Sequence, residues 1–286
     1  MVISLQYFIS FFHSYLNTLK IERLFIAASC ALAGMAYGGQ SNRLLFLLAF
    51  VPFFLCYGFG RNFITELDFA TPRKDILNFN KLAIALCALL ICILNPLNLI
   101  FTFIALSTFF LFIRYRRKSP LLAPLYLGIL ITLLPMMGVL AMGGQLADIK
   151  KNQMLWLYSF TLFSFANLTL MSKVDSLKIK KILWGDLFVM ISIIAAGMII
   201  NYSDSMALFV FILGSFIGII GQIKAHLLIV HSETTTRFIK GPALRSFILW
   251  HMAVFISEKP EWFIFACFFY LFFEATLFFK AYLNEN

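Results

Sequence analysis

Charge is concentrated in the stretch GRNFITELDFATPRKD, residues 60–75, which lies between two long apolar runs. Asn62, Glu66 and Asp68 offer an amide and two carboxylates there. Oxygen ligands of this kind suit a hard cation such as Mg2+, which keeps some of its waters and bridges to phosphate. A second polar stretch, FANLTLMSKVDSLKIKK (165–181), supplies Asn167, Ser172, Lys173 and Asp175, and RYRRKSP (114–120) adds Arg114, Arg116, Arg117 and Lys118. Acids on two facing loops could hold magnesium and a diphosphate, with Arg and Lys stabilising charge on the departing diphosphate. A solvated loop that ties two helices together has the same composition, and the spacing alone decides for neither.

The elements that must position these residues are read from hydropathy. The chain has 286 residues, is 62% hydrophobic and 13% charged, and has a mean hydropathy of +0.91. Lipid must cover part of that apolar surface, because an average globular protein is only about half apolar. Runs such as LLFLLAFVPFFLCYGFG (44–60) and LFVFILGSFIGIIG (208–221) are continuous rather than alternating. That excludes an outer-membrane barrel and predicts an all-α polytopic membrane protein, since a helix satisfies its own backbone groups in hydrocarbon.

About nine spans of near-bilayer length are expected, at 24–38, 43–60, 81–95, 97–113, 121–142, 154–172, 182–201, 206–230 and 262–282. The proline turn ILNPLN (93–98) divides the third from the fourth. The apolar stretch 243–257 is interrupted by Arg245 and His251 and reads as interfacial or half-inserted; full crossing would move the C-terminus to the other side. No linker or soluble domain intervenes, so residues 1–286 form one transmembrane domain with motif loops at 61–81 and 173–181. Leu5, Phe8, Phe12, Tyr15 and Leu19 recur at helical spacing, which predicts an amphipathic interfacial helix over 1–20 rather than a cleaved signal.

Charge sets the orientation. Placing the N-terminus and every second loop on one side gathers all of the 23 Lys and Arg there except Arg43, Lys150, Lys151 and Lys280. The positive-inside rule makes that side cytoplasmic. The net charge of +10 is then a topology signal and not a nucleic-acid footprint, since no basic domain stands apart from the membrane. A bacterial inner membrane is the expected setting, with the N-terminus and both motif loops in the cytoplasm.

Other reactive residues carry less. Cys30, Cys56, Cys87, Cys92 and Cys267 all lie in apolar runs without ligand spacing and read as small hydrophobes. His226 and His231 fall off a common helical face, His13 and His251 read as interfacial, and Glu274 is a costly carboxyl inside the last span. The small-residue stretches GMAYGG (34–39) and AMGGQ (141–145) permit close helix packing.

Over roughly residues 15–282 the chain resembles the UbiA superfamily of intramembrane prenyltransferases. The best-matching stretch, FIRYRRKSPLLAPLYLGILITLLPMMGVLAMGG (112–144), is similar to the family's Tyr-Ser/Lys segment and the glycine-containing helix after it. The family's first motif, N-D-x-x-D-x-x-x-D, falls on Asn62, Phe63, Glu66 and Ala70, with Asp68 nearby but out of register. Its second, D-x-x-x-D, falls on Asp175 and Ile179.

The resemblance implies about nine helices around a central cavity open to the cytoplasm. It implies transfer of a prenyl group from a polyisoprenyl diphosphate to a hydrophobic or aromatic acceptor. Asn62, Glu66, Asp68 and Asp175 would be catalytic, with Glu66, Asp68 and Asp175 holding Mg2+. Tyr115 and Lys118, or Arg116 and Arg117, would contact the diphosphate, helped by Lys173. The replacements at Phe63, Ala70 and Ile179 imply an alternative: a catalytically inactive member that binds lipid or joins a membrane protein partner.

Overall fold

The computed structural model describes residues 24–38, 43–115, 122–145, 151–171, 179–230 and 236–285. These residues contain no strand and form ten α-helices. In chain order they are α1 (Leu24–Met35), α2 (Arg43–Leu67), α3 (Lys74–Leu94), α4 (Asn98–Tyr115) and α5 (Leu122–Ala141). They continue as α6 (Lys151–Met171), α7 (Ile179–Ile199), α8 (Ser205–Val230), α9 (Thr236–Glu258) and α10 (Phe263–Glu285), the last entered through a 3-10 turn at Pro260–Trp262. The expected interfacial helix at 1–20 lies outside the described residues.

Seven of these helices are long and apolar enough to cross a bilayer: α2 from Leu48, α3, α4, α5, α7 from Ile182, α8 to Leu228, and the Pro260–Phe278 segment of α10. The chain is accordingly an all-α, multi-pass membrane protein. Wide rows of apolar side chains face outward on α3, α4, α8 and α10, among them Phe103, Phe110, Phe216, Phe268 and Phe272. A water-soluble domain would bury such rows. A membrane helix presents them to lipid.

Four helices make the centre: α1, α5, α6 and α9 each pack on two of the others. From α1, the helices α2, α3 and α4 wrap one flank round to α5, while α7 and α8 wrap the other from α6 to α9. Every residue of α1, LFIAASCALAGM, is buried. Its small side chains let it cross α5 backbone to backbone. A Cβ on Gly34 would stand 1.9 Å from the Pro135 carbonyl oxygen, and one on Gly138 would stand 2.5 Å from that of Ala31. The two small-residue stretches are thus a packing seam, as their composition predicts.

Local chemistry sets the helix ends. Asn95 accepts the Leu97 N–H through Oδ1 at 3.0 Å and donates from Nδ2 to the Leu140 carbonyl at 3.1 Å, fixing the proline turn against the end of α5. Beyond α5, Gly143 takes φ 71° while Gly144 N–H reaches back to the Val139 carbonyl at 3.1 Å, the usual glycine ending of a helix. Asp204 opens α8 by accepting the N–H groups of Met206 (2.9 Å) and Ala207 (3.2 Å).

Two expectations change. The stretch 243–257 does not lie on the outside of the bundle: it belongs to α9, most of whose residues from Ala243 to Ser257 are buried at the bundle centre. Arg245, Trp250, His251 and Ser257 find partners there, which is why their presence misleads a hydropathy reading. α9 ends where Ser257 Oγ accepts the Asn201 N–H at 2.7 Å, and α10 runs back alongside it, Glu274 meeting Arg245 near the middle of α9. Lys259 therefore lies at the end opposite the α2–α3 turn, and the C-terminal part of α10 returns to the same end as that turn. The expected loop 61–81 is also mostly helix. α2 continues to Leu67 and α3 begins at Lys74, leaving only 68–73 as a turn, because Asn62, Ile64 and Glu66 have buried positions to fill.

Candidate functional site

Asn62 and Glu66 sit one helical turn apart on α2, on the same face. They are 2% and 1% exposed, an unusual burial for an amide and a carboxyl. Glu66 is fully engaged. Its Oε1 accepts the backbone N–H of Arg73 at 2.8 Å and Arg73 Nε at 3.2 Å, while Oε2 accepts Arg73 Nη2 at 3.3 Å. Arg73 is the residue immediately before α3, so the carboxylate folds the 68–73 turn back and places negative charge at the start of that helix, where the helix dipole favours it. Above it, Asp68 is exposed and its N–H closes α2 on the Thr65 carbonyl at 3.1 Å.

Asn62 is the opposite case. Among the described residues neither its Nδ2 nor its Oδ1 has a hydrogen-bond partner, although both atoms are buried. Such a group costs free energy unless a bound water, ion or ligand satisfies it.

The adjoining wall comes from α3 and α4. Phe63 meets Phe109 of α4 with ring centroids 6.4 Å apart, and Lys81 Nζ of α3 lies 6.0 Å from the Phe63 centroid. Tyr115, at the end of α4, stacks on Tyr126 of α5 at 5.9 Å with the Arg114 guanidinium 5.9 Å over its ring. Position 63, an acid in the motif that this stretch resembles, is here an aromatic side chain with a cation on its face. Asn80 of α3 is also buried and donates to the Ile76 carbonyl at 2.9 Å.

Of the residues given a catalytic, metal or diphosphate role in the sequence, Asn62, Glu66, Asp68 and Tyr115 are placed. Asp175, Arg116, Arg117, Lys118 and Lys173 lie outside the described residues. Among the described residues no group of three or more His, Cys, Asp or Glu stands where it could hold a metal ion. The donor set at the α2–α3 turn does not fit Mg2+ either: the ion needs several oxygens in near-octahedral array, whereas the oxygens of Glu66 point at Arg73 and Asp68 is exposed above them.

Several polar pairs are not legible in the sequence. Gln222 Nε2 of α8 donates to Asn167 Oδ1 of α6 at 3.2 Å, in a slot kept open by Gly185 of α7. His226 of α8 is paired with Asp186 of α7 at 2.9 Å. His251, expected at an interface, is fully buried: Nδ1 lies 2.7 Å from the Phe247 carbonyl, which it satisfies as a donor, leaving Nε2 to face Thr161 Oγ1 at 3.4 Å. Glu274 is a partnered carboxylate, bound bidentately by Arg245 Nε at 2.6 Å and Nη2 at 2.7 Å. The five cysteines are free thiols. Arg73 is the one omission with a local signal, since an Arg after Pro72 lies within reach of an acid on the preceding helix.

No protein-family model, no curated protein and no solved structure matches the chain.

Proposed function

We propose that the chain is a divergent UbiA-type membrane prenyltransferase, which binds a polyisoprenyl diphosphate at the α2–α3–α4 end of the bundle and transfers its prenyl group to a hydrophobic or aromatic acceptor. The observation that carries the reading is the Asn62 amide, buried with both polar atoms unpartnered at the position where the resembled motif begins. A ligand oxygen would satisfy Nδ2. The aromatic wall of Phe63 and Phe109 suits an isoprenoid chain, and Lys81, Arg114 and the basic segment 116–118 supply positive charge for a diphosphate. In this reading about nine of the helices cross the bilayer around a chamber, as the resemblance implies. This end faces the cytoplasm of a bacterium, by the positive-inside rule.

A second reading is favoured by Glu66. The carboxylate that the resemblance gives to catalysis is already neutralised by Arg73, which suits a UbiA-fold protein that binds an isoprenoid lipid or a membrane partner without transferring anything. One experiment separates the two. The purified protein in lipid nanodiscs is incubated with a labelled farnesyl-type diphosphate and a membrane lipid extract. Saturable binding followed by a labelled, prenylated lipid product is the expected result. Binding without product, or a stoichiometric co-purifying protein, selects the second reading; absence of both binding and a partner defeats both.

A further inference from the structure

We infer that the α2–α3 turn carries its own counter-cation: Arg73 occupies both oxygens of Glu66, so this turn holds no divalent metal, and a diphosphate bound beside it is neutralised by side-chain cations. The inference rests on the binding reading above only in its last clause.

A carboxylate has about four lone-pair directions, and three donors already use those of Glu66. The side chain is 2% exposed, leaving no solvent face through which a hydrated ion could approach. A metal there would have to displace the guanidinium or sit beside it, and two cations sharing one anion repel. The backbone N–H of Arg73 adds a further constraint, because it ties the carboxylate to the first turn of α3. Displacing Glu66 would leave that N–H without an acceptor. Asp68 cannot complete a metal site from the same turn: it is exposed while Glu66 is buried, and no third acid, histidine or cysteine joins them among the described residues. Arg73 is thus a positioning residue, performing the charge neutralisation that an ion performs in an acid-rich turn.

Manganese is the probe, used on the full-length protein in nanodiscs and read by the loss of the free Mn2+ electron paramagnetic resonance signal. Wild type and Glu66→Gln are expected to bind Mn2+ equally, within about twofold, whatever sites exist elsewhere in the chain. The double variant Glu66→Gln with Arg73→Met, which strands no charge, is expected to match them and stands in if Glu66→Gln alone does not fold. A tenfold weakening of Mn2+ binding by either variant overturns the inference. Failure of farnesyl diphosphate to bind at all would leave these Mn2+ results untouched, so the two proposals fail separately.

Discussion

Cutting the link between Glu66 and Arg73 should strand a buried charge, and the size of the effect follows from the geometry. The Glu66 side chain is 2% exposed and that of Arg73 is 43% exposed. Removing one partner of a fully buried ion pair costs about 3–5 kcal/mol, whereas a pair wholly at the surface contributes under about 1 kcal/mol. Arg73 keeps part of its hydration, so an intermediate loss of about 2–3 kcal/mol is expected for Arg73→Met. Glu66→Gln retains an acceptor for the Arg73 backbone N–H and should lose less, about 1–2 kcal/mol. The double variant leaves no stranded carboxylate, and its loss should fall short of the sum by at least about 1 kcal/mol. Reversible unfolding in mixed micelles, followed by tryptophan fluorescence, measures all four corners of the cycle. Strictly additive losses, or an Arg73→Met protein as stable as the wild type, would refute the idea that this pair closes the turn.

Three further outcomes follow. Asn62→Leu removes two unsatisfied polar atoms from a buried site and should stabilise the unliganded protein, by about 1 kcal/mol if the leucine packs, while abolishing farnesyl diphosphate binding; loss of stability without loss of binding would count against a ligand role. Gly34→Ala forces a methyl group to 1.9 Å from the Pro135 carbonyl oxygen, so α1 and α5 must separate, with an expected cost of about 1–3 kcal/mol or more in the same unfolding assay. A reporter fused after Asn286 and a cysteine introduced at Asp68 should label from the same side of a sealed vesicle, because α9 runs the length of the bundle and α10 returns; labelling from opposite sides would contradict that path.

The helices were legible because continuous apolar runs have one solution in hydrocarbon, and the turn at 93–98 announced itself through Asn and Pro. The seam between α1 and α5 was legible too, from the small-residue stretches 34–39 and 141–145, although Gly138, which meets Ala31, falls in neither. α9 was not. Arg245 and His251 look like interruptions until Glu274 and Thr161 are brought to them from elements 29 and 90 residues away. The end of α2 misled for a related reason. Polar residues such as Asn62 and Glu66 look like loop, yet each occupies a buried helical position. Glu66 there answers to Arg73, whereas nothing among the described residues answers to Asn62. Pairings across helices leave no periodic trace in the sequence, and the candidate site is built from them.

Where an isoprenoid diphosphate sits is the central matter, and photo-crosslinking tests it most directly. A diazirine-bearing prenyl diphosphate analogue is irradiated with the protein in nanodiscs, and the adducts are located by peptide mass spectrometry. Adducts on 59–66 of α2 and 105–115 of α4, competed by unlabelled farnesyl diphosphate and lost in Asn62→Leu, are the expected result. Adducts confined to the lipid-facing rows of α3, α8 and α10, with no competition, would contradict it.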